Sequence, residues 1–248
     1  MPTNEHFAGK PRFADDGPFG RVWLTEHRRG AQISLHQHTL GYASLCLEGS
    51  YDEGDAARIV RKVGVDDAIL HSDRCVHDDL FGRTGGLVLS VEPSIGLRRL
   101  YPLADFSATR AGPDTRLSEM LASFVEFRSP VGLLGLCRML DGKSSTLADD
   151  WAYVIADLEN GTLTIGKIAA QHGWKPCDFS RRFHRRFMVT PSVFRLRFRL
   201  RQAIELVADT KCSWTAAAYA AGFADSAHLS RTCRRFLGTS PVRLGLVN

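Results

Sequence analysis

Two stretches, IAAQHGWKPCDFSRRFHRRFMVTPS (168–192) and AAYAAGFADSAHLSRTCRRFLGTSPV (217–242), are versions of one pattern. In each, an alanine stands four residues before a glycine: Ala169 and Gly173, then Ala218 and Gly222. An aromatic follows each glycine, Trp174 and Phe223. A Ser-Arg pair comes next, Ser180-Arg181 and Ser230-Arg231, and a proline lies eleven residues past that serine, Pro191 and Pro241. The mechanical reading is two short helices joined by a tight turn. A small residue sits where the first helix touches the second, and glycine accepts the positive φ of the turn. Phe179, Phe183 and Phe187 recur at i, i+4 and i+8, as do Leu229, Cys233 and Leu237, so each second helix buries one face. Arg181, Arg182 and Arg185 then occupy the opposite face in the first copy, and His228, Arg231 and Arg235 in the second. Pro191 and Pro241 suit the first turn of a following helix.

Between the copies runs PSVFRLRFRLRQAIELVADT, whose apolar positions Phe194, Phe198, Ala203, Ile204 and Val207 fit one long helix. About 18 residues at ~1.5 Å each give roughly 27 Å. One turn of DNA is roughly 34 Å, so a spacer of this order can present two helices to successive major-groove faces. Arg195, Arg197, Arg199 and Arg201 alternate too closely to share one face, so some are expected to solvate and others to meet phosphate. The charge agrees with a polyanion partner for this half alone. The net charge is +5, but from Leu147 onward 15 Lys and Arg face 8 Asp and Glu, a net +7. Residues 1–146 hold 17 basic and 19 acidic groups, a net −2. Arginine reads guanine as a fork or neutralises phosphate. Arg181, Arg182, Arg185, His228, Arg231 and Arg235 are therefore the expected DNA-facing set.

The second copy, A-x-x-x-G-F-x-D-x-x-H-L-S-R-x-x-R-R-x-x-G-x-S-P, resembles the most recognisable stretch of the AraC/XylS family of bacterial regulators. The matching positions are Ala218, Gly222, Phe223, Asp225, His228, Leu229, Ser230, Arg231, Arg234, Arg235, Gly238, Ser240 and Pro241. The resemblance covers about residues 147–248. It implies a sequence-specific transcription regulator, activator or repressor, acting on promoter DNA as a homodimer with RNA polymerase as a further partner. Three features depart from the family pattern. Lys175-Pro176 stands where a polar helix cap is usual, Met188 where Gly is common, and Cys233 and Leu237 where Phe is frequent.

Residues 20 to about 100 read as β-structure. VWLTEH, AQISLHQH, YASLCLEG, RIVRKVG, DAILHS and GLVLSVE are short, apolar-rich and separated by Gly, Asp or Ser, which predicts an antiparallel sandwich or small barrel. Gly30-x5-His36-x-His38, followed by Gly49, resembles the first cupin motif, and Gly64 through His77 resembles its partner motif. That resemblance implies a ligand-sensing barrel for a small-molecule effector. The three histidines His36, His38 and His77 then read either as polar remnants of an empty cupin pocket or as ligands of a divalent metal, since imidazoles with a carboxylate suit Mn, Fe, Ni or Zn. The usual glutamate position, about four residues after His38, holds Tyr42 or Ala43. His71, Asp73 and Cys75 are the nearby substitutes.

Two apolar helices are expected in the middle, one in DTRLSEMLASFVEFR with Asp114 or Thr115 as its cap, one in VGLLGLCRML. They either pack on the β domain or form a dimer seam. Asp141-Gly142-Lys143-Ser144-Ser145 reads as a polar linker. The expected architecture is α+β: a cupin-like antiparallel β-barrel (1–105), a helical segment (106–146) and an all-α domain with two helix-turn-helix units joined by a long helix (147–248). No apolar run is long enough to span a membrane, and MPTNEHFAGKPRF lacks the signal-peptide pattern, so a cytoplasmic location is expected. The six cysteines form no C-x-x-C pair and read as reduced thiols. The leading reading is a regulator rather than an enzyme, with no cofactor required for its action. Its rivals are a metal-dependent cupin enzyme with an accessory helical domain, and a protein–protein docking module.

Overall fold

The computed structural model describes residues 9–55, 57–101, 106, 110–112, 117–121, 131–142 and 151–246. They divide into two compact units, Met1–Ile95 with Asp105–Cys137, and Gly96–Ala104 with Arg138–Asn248.

The first unit is an antiparallel sheet of β1 (Lys10–Gly17), β2 (Gly20–His27), β3 (Gln32–Gln37), β4 (Ala43–Asp55), β5 (Val60–Val63), β6 (Ala68–Leu70), β7 (Val76–Pro93) and β8 (Arg110–Gly112). Its order is β1-β2-β7-β4-β6-β8, with β3 added to β7 and β5 to β4. The long strands β4 and β7 run side by side and belong to two leaves. Ala43–Gly49 pairs with Val91–Gly86, and Tyr51–Asp55 pairs with Phe81–His77. The sheet folds over between these segments, where Gly49 (φ +76°) and Gly85 (φ +73°) cross. A Cβ on Gly49 would run into the Gly85 carbonyl, and one on Gly85 into the His27 carbonyl, so only glycine fits at this crossing. The enclosed core includes Cys46, Tyr51, Val63, Ile69, Phe81 and Val88. The expected cupin-like barrel is thus present.

Four strand segments escaped the sequence reading: β1, the end of β4 after Gly49, the first part of β7, and β8, which lies in the segment 106–146 expected to be helical and pairs with β6. β1 buries none of its residues and has no apolar alternation to display; among the described residues it is an edge strand paired with β2. The first part of β7, VHDDLF, turns His77, Asp79 and Phe81 inward. Polar groups take the inside there, so the usual apolar-in signal is inverted.

Residues Ile95–Arg98 (α1) and Val131–Gly142 (α2) are helical, as are 117–121 within the first expected middle helix. The rest of that expected helix, 114–116 and 122–128, lies outside the described residues. α2 runs through Asp141-Gly142, which the sequence reading gave to a linker. Its last turn is held by the Asp141 carboxylate, which accepts a 2.6 Å hydrogen bond from Arg201 Nη1.

The second unit continues as α3 (Trp151–Asn160), α4 (Ile165–Gln171), α5 (Pro176–Phe187), α6 (Pro191–Thr210), α7 (Trp214–Ala220) and α8 (Ser226–Leu237). Hydroxyl or carboxylate caps start four of these helices. Thr164, Thr190, Ser213 and Asp225 accept from the N–H groups of Lys167, Val193, Ala216 and His228. α5 starts on Lys175 without a side-chain cap, and Pro176 supplies its preset φ instead. Val154, Ile155, Leu158, Ile168, Ala169, Phe179, Phe183 and Phe194 form one core. Among the described residues, no helix is long and apolar enough to cross a membrane.

Candidate functional site

The two repeats fold alike, bond by bond. In the first, Gly173 (φ +73°) donates to the Ala170 carbonyl and Trp174 to Ala169. In the second, Gly222 (φ +77°) donates to Tyr219 and Phe223 to Ala218. These bonds close α4 and α7 and turn the chain into α5 and α8. Ala169 and Ala218 are fully buried, as expected for the point where the helices touch. Phe179 and Phe183 anchor α5 and Leu229, Cys233 and Leu237 anchor α8, while Phe187 is half-buried. The two units are joined by the 20 residues of α6, roughly 30 Å of helix.

Each second helix shows its basic face to solvent. Arg181, Arg182 and Arg185 of α5 and Arg231 and Arg235 of α8 are exposed. His228 is half-buried and edge-on to Phe223 at 5.1 Å between ring centres. Arg181 is held by Asp178 at 2.6 Å, and Arg182 lies 6.0 Å from the Trp174 ring. The expected DNA-facing set left out Arg186 and Arg234, also exposed, which lie with Arg185 and Arg235 in the last turns of α5 and α8. Cations there also complement the helix dipole.

The four arginines of α6 are all half-buried against protein. Arg195 Nε donates to the Leu158 carbonyl, and Arg197 lies over the Phe236 ring at 5.3 Å. Arg199 lies beside Gly222, and Arg201 pairs with Asp141 over the Tyr101 and Phe198 rings. Burial, then neighbouring arginines, lowers the pKa of Arg195 and Arg197 from the usual guanidinium value.

The barrel encloses a cavity of about 60 Å³. Its walls include His36 from β3, His38 just after it, Tyr42, Glu53 from β4, His71 after β6, and His77 and Asp79 from β7. The structure thus brings together the three histidines singled out in the sequence. His36 Nδ1 donates to the Ser34 carbonyl at 3.0 Å, and His36 Nε2 faces His38 Nε2 at 2.9 Å. His77 Nδ1 donates to Asp79 at 3.3 Å, and the Tyr42 hydroxyl donates to His77 Nε2 at 3.1 Å. His71 Nε2 donates to Glu53 Oε2 at 2.9 Å, with its ring stacked on Tyr42 at 4.1 Å. Two overlapping groups, His36–His38–His77 and Glu53–His71–His77, bring their ligand atoms within 4.8 Å of one another. Glu53 Oε1 and His71 Nδ1 are buried and make no hydrogen bond, although Arg61 stands 3.6 Å from Glu53 Oε1. The donor set therefore fits a borderline divalent cation.

Charge and burial tune these groups. Burial would raise the Glu53 carboxyl, but the His71 hydrogen bond and the attraction of His71, His77 and Arg61 hold it below the usual value. Burial would lower His77, but Asp79 and then Glu53 raise it. Tyr42 is pushed well up, first by burial and then by Asp79 and Glu53, so it keeps the proton it donates. Of the substitutes proposed for the missing glutamate, His71 is in the cavity. Asp73 and Cys75 are not part of its lining, and Asp73 instead accepts from the Gly41 N–H at 2.6 Å. Glu53 and Asp79 were missed.

The helix-turn-helix domain family matches residues 168–244. No curated protein sequence matches the chain. Among solved structures, ToxT from Vibrio cholerae O395 is 14% identical with a TM-score of 0.42, over 92% of this chain and 97% of that one. Unsaturated fatty acid bound ToxT from Vibrio cholerae strain SCE256 is 12% identical with a TM-score of 0.40, over 92% and 95%. Oxalate decarboxylase from Bacillus subtilis is 19% identical with a TM-score of 0.28, over 30% of this chain and 21% of that one. At these values the structural likenesses bear on neither ligand nor activity. The family match falls on the region built as two equivalent helical units with exposed arginine faces. Residues 168–244 of this chain form a helix-turn-helix domain.

Proposed function

We propose that this protein is a transcription regulator whose two helix-turn-helix units grip duplex DNA and whose barrel modulates that grip in response to a small ligand. The observation that carries this reading is the matched pair of units, each with exposed arginines on its second helix, spaced by α6. Arg181, Arg182, Arg185, Arg231 and Arg235, with His228, are the DNA-facing set; some fork onto guanine and others neutralise phosphate. The protein works as a homodimer on repeated half-sites in the cytoplasm, with RNA polymerase as a further partner. The barrel senses rather than catalyses, and His36, His38 and His77 form its metal-binding triad.

Purified full-length protein, incubated with fragmented genomic DNA at moderate salt and sequenced, should give sharp peaks upstream of genes. Those peaks should share two short blocks about one helical turn apart. Arg231→Ala should weaken binding and reduce the slope of log affinity against log salt by about 0.9. Peaks without a shared motif, with and without added Zn²⁺, would sink the regulator reading.

A further inference from the structure

We propose that Arg99, which lies outside both helix-turn-helix units, joins Arg235 of α8 in binding one backbone phosphate of the duplex, beside a floor made by the Phe236 ring and Arg197 of α6. The proposal rests on the reading of α5 and α8 as the DNA-facing helices, and it adds to their contact set a cation from far upstream in the sequence.

The stretch from Gly96 to Tyr101 is built into the helical unit, and its two ends are fixed on different helices. Gly96 lies against the end of α8. A Cβ there would come 2.7 Å from the Phe236 carbonyl oxygen and 3.4 Å from Leu237 Cδ2, so the close approach needs glycine. The Tyr101 hydroxyl donates to Glu205 Oε1 of α6 at 2.6 Å. Between these ends Leu97 and Leu100 are buried, and the Leu100 N–H closes a turn on the Leu97 carbonyl at 2.8 Å. Arg99 is the exposed residue of that turn. Its backbone is thus held between α6 and α8 while its side chain is left to solvent.

Charge indicates what the turn presents. Arg197 and Arg235 approach the buried Phe236 ring at 5.3 and 5.2 Å. Arg99 is near enough to act on Arg197: after burial, Arg99 and then Arg235 lower the Arg197 pKa. Among the described residues no carboxylate pairs with Arg99, Arg197 or Arg235, and the buried Nε of Arg197 makes no hydrogen bond. Arg138 and Arg201 of the same unit are matched instead, by Glu205 with Asp209 and by Asp141. Gathering like charges costs free energy unless an anion joins them. A backbone phosphate supplies one negative charge on oxygens that forked guanidiniums hold well. Arg235 shares a face of α8 with Arg231, one helical turn away, so the anion is placed where the duplex would run rather than in an isolated pocket.

Fluorescence anisotropy of full-length protein on a fluorescein-labelled duplex about three helical turns long, repeated over a series of salt concentrations, tests the site. Arg99→Ala should reduce the slope of log affinity against log salt by about 0.9. It should weaken binding by a similar factor on unrelated sequences, because phosphate carries no base identity. The melting midpoint should stay that of the wild type, since Arg99 is exposed. Arg99→Lys should keep the wild-type slope, because lysine also holds phosphate as a point charge. Arg83→Ala removes an exposed arginine of the barrel and should leave the slope unchanged. A wild-type slope in Arg99→Ala, with duplex binding intact, would overturn the proposal and leave the regulator reading standing. An equal loss of slope in Arg83→Ala would overturn it too, by showing that the slope follows net charge rather than contact. Wild-type protein that binds no duplex would refute the regulator reading, and this site with it.

Discussion

Met188 closes α5 in the left-handed region, φ 57° and ψ 16°, with its N–H bonded to the His184 carbonyl at 2.8 Å. Gly238 does the same work for α8 at φ 74° and ψ 0°, bonding Arg234 at 3.0 Å. A residue with a Cβ in this conformation costs about 1–2 kcal/mol. Met188→Gly relieves that strain. The side chain is 74% exposed, so its removal sacrifices little packing. The glycine adds freedom to the unfolded chain, which offsets about 0.4–1 kcal/mol. The net stabilisation should be about 0.5–1 kcal/mol, or about 2–4 °C in the midpoint of the helical circular dichroism signal. The reciprocal Gly238→Met should lower that midpoint by a similar amount. DNA affinity of Met188→Gly should match wild type, because Met188 is outside the proposed contact set. A lower midpoint in Met188→Gly would refute the argument, since it would mean that the methionine side chain contributes more than its backbone strain removes.

Gly222→Val should destabilise the second helix-turn-helix unit by about 2–3 kcal/mol, because valine resists positive φ and its Cβ would press on Arg199. Gly173→Val, with open space around it, should cost less; paired urea melts compare them, and equal losses would remove Arg199 from the account. Arg201→Ala should lower stability by about 2 kcal/mol by removing its ion pair with Asp141 and its packing over the Tyr101 and Phe198 rings, yet leave the salt slope of DNA binding unchanged. A slope altered in Arg201→Ala would mean that Arg201 reaches phosphate after all. Burial raises the thiol of Cys46 to about 11 and that of Cys233 to about 12, so iodoacetamide at mildly alkaline pH should modify exposed Cys177 and spare both. Mass spectrometry showing early modification of Cys233 in the folded protein would contradict its burial in α8.

The helix-turn-helix half was legible in the sequence because its determinants are local. The alanine, the turn glycine and the four-residue spacing of the anchors all fall within one stretch of chain, and the repeat supplies its own control. The barrel was legible only where apolar side chains face inward. Its histidines were found through their spacing, whereas Glu53 was not, and the reason is geometric. Counting alternate residues from Tyr42, Ser44 and Cys46 puts Asp52 inside and Glu53 outside. The register shift between Cys46 and Glu48 adds one residue to β4 and reverses that phase, so Tyr51 and Glu53 face the cavity instead. A bulge is set by pairing with another strand, and no periodicity within β4 announces it. The partners of the α6 arginines were hidden for a similar reason. Their spacing showed that they could not share a face, but not that the Leu158 carbonyl, the Phe236 ring and the Asp141 carboxylate would receive three of them.

Those inward arginines separate two quantities that a sum of charges merges. A half-buried guanidinium still contributes to the field felt by an approaching polyanion, so all four of Arg195, Arg197, Arg199 and Arg201 can hasten encounter at low ionic strength. Counterion release, however, follows contact with phosphate, and three of these side chains are already engaged, Arg195 by Leu158, Arg197 by Phe236 and Arg201 by Asp141. The association rate should therefore reflect the full +7 of the C-terminal half, while the equilibrium salt dependence reports only the outward cations that reach phosphate.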